Sequence, residues 1–368
     1  MILNTMQMKY LIIFLCVLCF SQCSLEKKAS IFREVPVDVD KCETCSVDSF
    51  DYDILPLEDA PNGVIGSIGK MVVTENGYYV SDSRETPALY LFGRDGKFVR
   101  KIEKHGRSQK EYMRMCSFTA NEKGDTIAVL DNMGREIKLY DQYGHFLLRH
   151  VFDEEYGWDD CVIIDNRFYM FSYHGGNEGV VTMYSSDFSK REIIGEECTR
   201  PLIPGAGEAN VKYIQYNTSS ICCMDYFNSC FFLIDRKSNG VIKKYALRSS
   251  NMLSSDYIPE KFFSYDQILS YTLVDECLYF ELKVKDETAV FKLNFADGKL
   301  YKVDTFISFL DYKNNLLYSS MQSEYVKMCM DNDRYFHKNE NRLKAFSAYE
   351  DKLASQENPF VIINKVAK

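Results

Sequence analysis

Five copies of one hairpin pattern, an excess of Tyr and Phe, and the lack of any helical periodicity through the repeats predict an all-β chain. The expected fold is a six-bladed β-propeller with four-stranded blades. The copies read "LYLFGRDGKFVRKI", "IKLYDQYGHFLLRHV", "VTMYSSDFSKREII", "FFLIDRKSNGVIKKYAL" and "VFKLNFADGKLYKV". Their turns fall at Gly96, Gly144, Ser189, Gly240 and Gly298, which are 48, 45, 51 and 58 residues apart. Gly or Asn at such points supplies the positive φ of a tight hairpin. Aromatic residues make up 14% of the 368, with 26 Tyr and 25 Phe against 1 Trp, and such rings favour strands.

Each hairpin supplies the last two strands of a blade, and two shorter runs precede it. They are "KMVVTENG" and "YYVSDS" before the first, "SFTANEKG" and "TIAVLDN" before the second, and "DDCVIIDN" and "RFYMFSY" before the third. The fourth has "YIQYN" and "SICCMDYF", and the fifth "ILSYTLVDE" and "CLYFELKV". A sixth blade is expected from both ends of the chain. "SFLDYKNN" and "LLYSSM" are its first strands, "NPFVIINKV" the third, and "DYDILPLE" near the N-terminus the fourth. A last blade closed by both termini completes the ring and protects its edges. A helical insert, about 322–358, precedes the final strand; Leu343, Phe346, Tyr349 and Leu353 fall on one helical face there. It suits a lid, a partner surface or, most simply, packing on the disc.

Residues 1–22 read as a lipoprotein signal peptide, 23–50 as a polar tether and 51–368 as the propeller. The apolar run from Tyr10 to Phe20 is too short to span a bilayer and suits a signal peptide. It ends in "FSQC", which resembles a bacterial lipoprotein signal with Cys23 as the lipidated first residue. Gln22 departs from the small residue usual there, and an ordinary secretory signal is the alternative. The expected address is the cell envelope, as an outer-membrane lipoprotein facing the periplasm or the surface, with the membrane as partner through its anchor. The formal net charge of −9 argues against a nucleic-acid partner, which needs a basic face. Most of the 13 Cys lie in apolar strand patterns and read as buried. Cys42 and Cys45, in "KCETC", form a lone CxxC that suits a local disulfide or two free thiols better than zinc, which wants four ligands.

Candidate sites follow from the loops. Second strands end in "SDS", "LDN" and "MDY", which puts Asp82, Asp131 and Asp225 at equivalent points. Three carboxylates at a channel mouth would suit a hard cation such as Ca²⁺. The plainer reading is that each Asp caps its own turn, and no cofactor is otherwise expected. His105, Arg107, Glu111 and Tyr112 lie in the loop after the first hairpin, with Arg84 in a nearby turn. Arg with Tyr suits an anionic or sugar ligand, whereas a packed inter-blade corner is the plainer alternative. No HExxH or Gly-x-Ser-x-Gly motif occurs, no catalytic residue is assigned, and His174 in "SYHGGNEG" is the one His worth testing.

The stretch from "ILPLEDAP" to "HGRSQKEY", with "SDS" and "DGKF", resembles the six-bladed β-propeller lipoproteins of Gram-negative bacteria, which are NHL-like propellers; "ENPFVIINKVAK" resembles their closing strand. The resemblance covers roughly 51–368 and implies an exported lipoprotein without implying an activity. The usual family loop, Gly-x-Gly-Pro-x-Glu-Tyr, here reads "GRSQKEY" without the second Gly and the Pro. The expected function is a lipid-anchored binding or interaction module for an envelope protein or glycan, with no catalysis. A propeller hydrolase or lyase acting on glycans or peptides is the alternative.

The anchor reading makes a direct prediction. Cys23→Ala should abolish palmitate labelling and move the protein from membrane to soluble fractions, since one sulfur and its acyl chains would carry the attachment. Retention of the variant in membranes would refute it.

Overall fold

The structure is a computed structural model, which describes residues 31–46, 51–59, 64–82, 88–131, 135–153, 158–172, 181–195, 214–225, 228–252, 261, 264–284, 287–304, 309–331, 340–349 and 357–365. These residues form six sheets in a ring. Blade 1 comprises Ile68–Thr74, Gly77–Asp82, Ala88–Phe92 and Phe98–Glu103. Blade 2 comprises Met115–Ala120, Thr126–Asp131, Glu136–Asp141 and Phe146–Val151. Blade 3 comprises Asp160–Ile164, Arg167–Phe171, Val181–Tyr184 and Arg191–Ile194, and blade 4 Ile214–Tyr216, Ser220–Asp225, Cys230–Asp235 and Val241–Arg248. Blade 5 comprises Gln267–Val274, Cys277–Val284, Glu287–Asn294 and Leu300–Asp304. Blade 6 takes Phe309–Lys313, Leu316–Met321 and Phe360–Lys365 from one end of the chain and Asp51–Pro56 from the other. Phe360 pairs with Pro56, and Lys365 with Asp51. The first strand of each blade contacts the first strand of the next, and that of blade 6 returns to that of blade 1.

Burial explains the sequence pattern strand by strand. Second and third strands lie between neighbouring blades, so Gly77–Val80 or Ala88–Phe92 are buried without alternation. Outer strands have one open side, and Phe146–Val151 alternates half-buried and exposed residues. Two faces result. At the turn face, first strands turn into second and third into fourth. At the loop face, second strands connect to third and one blade connects to the next.

The hairpins at the turn face are left-handed at Gly96 (φ 79°), Gly144 (φ 81°) and Gly298 (φ 65°). In the other two the left-handed residue is not the one expected. It is Phe188 (φ 59°) rather than Ser189, and Asn239 (φ 55°) rather than Gly240. Asn tolerates this region, but Phe does not, so the strain must be offset. The Phe188 ring stacks on His150 (4.5 Å between centroids) and on Phe168 (4.6 Å), and Asp187 accepts a hydrogen bond from the Ser189 N–H at 3.1 Å.

The segment expected as tether pairs with the propeller over part of its length. Phe32–Pro36 adds a parallel fifth strand to the outer edge of blade 4, and Glu43–Ser46 does the same on blade 5. The gain is burial of Val35 and Val37 and cover for two exposed sheet edges. Runs of five and four residues with charged or polar side chains among them give no readable strand signal. Cys42 and Cys45, in and beside the second of these strands, are free thiols.

Two short helices, Ser323–Asp331 and Glu340–Ser347, occupy the expected insert. Val326 and Phe346 pack with Ile54, Met321, Phe360 and Ile362 of blade 6, so the helices are held to that blade's loop-face end. Tyr349 is half-buried against the same cluster; Leu353 lies outside the described residues. Asn358, fully buried, latches the insert to the chain ahead of blade 1. Its amide donates to Glu58 O (2.8 Å), its side-chain oxygen accepts from Ile65 N (2.7 Å), and its own N–H donates to Asp59 (3.0 Å). Asn358→Ala leaves two of these backbone groups without a partner. It should lower stability by about 1–3 kcal/mol in equilibrium urea denaturation; an unchanged midpoint would mean water takes over the bonds.

Candidate functional site

Of the residues that the loops suggested, the described ones lie on the loop face and make contacts within the fold. Cys23, Arg84 and His174 lie outside the described residues. Tyr112 is fully buried, edge-on to Tyr140 (6.4 Å), and its hydroxyl accepts from Lys104 N at 3.4 Å; burial pushes the phenol up to about 12. His105 bridges to Tyr112 through the backbone while its side chain is exposed, as is that of Arg107. Glu111 accepts from Ser108 N at 3.0 Å, and this bond holds its carboxyl below the usual range. The loop is therefore a braced corner whose ring points inward and whose cation points outward.

Asp82, Asp131 and Asp225 each hold a local loop. Asp82 accepts from Gly66 N (3.1 Å), Asp131 from Met113 N (2.7 Å) and Arg114 N (3.1 Å), and Asp225 from Asn228 N (3.3 Å). Asp131 also faces the buried ammonium of Lys138 at 3.5 Å, which is bonded in turn to Glu136. Among the described residues no group of His, Cys, Asp or Glu is placed to hold a metal ion.

The cavity lies elsewhere, in the central channel at the turn face, with a volume of about 480 Å³. Its lining comes from the first strands of the blades and the turns that follow them. Val72, Val162 and Ile214 give an apolar wall, with Lys70 at the deep end. Lys70 Nζ lies 2.5 Å from Asp160 and 2.8 Å from Ser117 Oγ. Ser117 Oγ donates to Asp160 at 2.7 Å, and Ile214 N donates to its other oxygen at 3.2 Å. Blades 1, 2, 3 and 4 thus meet at one carboxylate. The trio of Ser, Lys and Asp does not make a nucleophile. An ion-paired ammonium has no lone pair for the Ser117 proton, and that hydroxyl donates to the carboxylate instead.

The outer part of the cavity is a ring of aromatic, amide and charged groups. Tyr216 comes from blade 4, and burial together with the Asp311 and Glu122 carboxylates pushes its phenol well up. Tyr312 comes from blade 6; its phenol is raised by burial and by the nearby Asp275 carboxylate, and its hydroxyl donates to Asn315 at 3.1 Å. Asn314 and Asn315 are both left-handed (φ 54° and 63°), as a two-residue hairpin turn requires, and this places their amides at the mouth. Lys313 donates to Val73 O (3.1 Å) and lies 3.8 Å from Glu122. Arg236 donates to Asn217 O (2.7 Å) and pairs with Asp165 (2.9 Å), its guanidinium 5.7 Å from the Tyr216 ring. Asp311 accepts from Val73 N at 3.2 Å. The lining holds the cations Lys70, Arg236 and Lys313 and the carboxylates Glu122, Asp275 and Asp311, with Lys70 and Arg236 paired to Asp160 and Asp165 just outside it. None of these residues was singled out by sequence. The only signal was a Lys and an Asp each opening an apolar inner strand, in "KMVV" and "DDCVII".

The same fold occurs in solved structures. A protein of Bacteroides fragilis NCTC 9343 described as exported (BF0058) aligns with TM-score 0.67 at 14% identity, over 92% of this chain and 100% of that one. A member of the duf4221 family from Bacteroides vulgatus ATCC 8482 aligns with TM-score 0.54 at 12% identity, over 86% and 97%. At these identities the likeness is one of fold. No curated protein matches the sequence. Residues 44–365 match the model of a family described as a domain of unknown function, DUF4934.

The shared carboxylate at the channel floor is testable. Asp160→Asn leaves Lys70 buried beside a neutral amide and should cost about 3–5 kcal/mol in urea denaturation, whereas replacing both as Lys70→Met with Asp160→Leu should recover part of the loss. An Asp160→Asn variant as stable as the parent would remove Asp160 from this role.

Proposed function

The chain belongs to the DUF4934 family, and from that premise we propose that it is an exported propeller, lipid-anchored at the outer membrane through Cys23, which binds the end of a neutral envelope glycan in its channel mouth. Its placement among NHL-like propeller lipoproteins is part of the same reading. Support for export comes from the signal-like N-terminus and from the description of BF0058 as exported.

Support for the ligand class comes from the lining. Each cation of the mouth already has a carboxylate beside it: Asp160 for Lys70, Asp165 for Arg236 and Glu122 for Lys313, while Asp311 accepts from a backbone N–H. An anionic ligand would therefore find no uncompensated cation. What is left for a ligand is two phenol rings, several amides and an apolar wall, which suits the alternating hydroxyl and C–H surfaces of a sugar. A volume of about 480 Å³ falls in the range of small-ligand sites. The hydrolase or lyase alternative would draw on Glu122, Asp275 and Asp311, of which Glu122 lies 3.8 Å from Lys313 and Asp311 accepts from the Val73 N–H. Binding without turnover is the better-supported reading.

Calorimetric titration with envelope glycan fragments tests it. One fragment should bind the parent protein, and Tyr216→Ala and Tyr312→Ala should each weaken it by about tenfold, or ~1.4 kcal/mol, with the circular dichroism spectrum unchanged. Unaltered affinity in both variants would move the site away from the mouth. Release of shortened glycan on long incubation would favour the enzyme.

A further inference from the structure

We infer that the turn-face corner of blade 4 rests in the headgroup layer of the membrane that holds the lipid anchor. The inference depends on lipidation at Cys23 and goes beyond it by fixing which part of the disc meets the bilayer.

The parallel strand Phe32–Pro36 starts at the turn face, beside the start of the outer strand Val241–Arg248. Phe32 pairs with Lys244, so their side chains project from the same face of the sheet, and Ile242 lies two residues before Lys244 at the register shift that opens the outer strand. Ile31, Phe32 and Ile242 are 49%, 42% and 43% exposed. The Lys244 ammonium lies 5.8 Å from the Phe32 ring centroid and 4.9 Å from that of Phe232. Glu34, the carboxylate on the same strand, is neutralised by Arg248 at 3.3 Å. The corner therefore offers apolar side chains with a cation among them, the chemistry of an interfacial membrane contact.

Other outer strands also expose apolar residues, such as Val99 on blade 1 and Leu147 on blade 2. Position separates them. From Cys23 to Ile31 an extended chain reaches at most about 30 Å. A domain of this length has a radius of gyration of about 20 Å. An anchor held at the bilayer surface therefore keeps the blade 4 corner within that reach of the lipid, whereas blade 1, opposite it in the ring, is the part the tether can leave farthest away. The intervening sequence adds Lys27 and Lys28, which favour an anionic surface.

The test uses the full lipidated chain, its palmitate label confirmed, in vesicles of phosphatidylethanolamine and phosphatidylglycerol, with and without lipids brominated near the headgroup end of the acyl chain. Phe32→Trp and Ile242→Trp place reporters at the corner, and Val99→Trp places one on blade 1; the parent, with buried Trp158, supplies the background. Bromine should quench most of the added emission in the two corner variants and none of it in Val99→Trp. Equal quenching in all three, or in none while the label is intact, would overturn the corner contact. Absence of the label would overturn the anchor reading itself, and the corner with it.

Discussion

A single buried carboxylate ties the first four blades together. Asp160 opens the first strand of blade 3, where a charge can survive only if its neighbours supply the hydrogen bonds that water would have made. They come from a Lys on blade 1, a Ser on blade 2 and a backbone N–H on blade 4. Because those groups lie on separate sheets, the bonds fix how the sheets stand around the axis. They also fill the deep end of the channel, and the cavity at the turn face is the part left open above them.

The ring divides labour between its faces. Long connections run on the loop face, and these are latched: Asn358 holds the insert to the segment ahead of blade 1, Tyr112 fills a corner, and Asp131 joins a buried network with Lys138 and Glu136. At the turn face the connections are short, and their tightness brings amides and phenols to the axis. Asn314 and Asn315 are turn residues first, and they stand at the cavity because the turn stands there.

How far the sequence could be read follows from this. Blades were legible because a repeated tight hairpin and apolar runs between turns are local signals, and even blade 6 could be assembled from the two ends. Phe188 escaped because its strained backbone is held by rings of His150 and Phe168, which belong to other strands. The edge strands at Phe32–Pro36 and Glu43–Ser46 escaped because most of what stabilises them is the open edge of a distant blade. The cavity was illegible for a related reason. Tyr216, Arg236 and Tyr312 sit in ordinary-looking "IQYN", "DRKS" and "DYKN" stretches, and only closure of the ring makes them neighbours. Conspicuous loop residues drew the eye because a short polar cluster reads alike whether it serves a ligand or a corner.

Sharing blade 6 between the two ends has a consequence for timing. Strand Asp51–Pro56 leaves the ribosome long before its partner Phe360–Lys365, since most of the propeller lies between them in sequence. Until that partner arrives, the early strand has no sheet to join, and closing so long a loop is slow because its entropy must be lost before the contacts reward it. A growing chain is thus kept from locking into a finished ring. The topology itself therefore postpones the compact state until both strands of the pair are present.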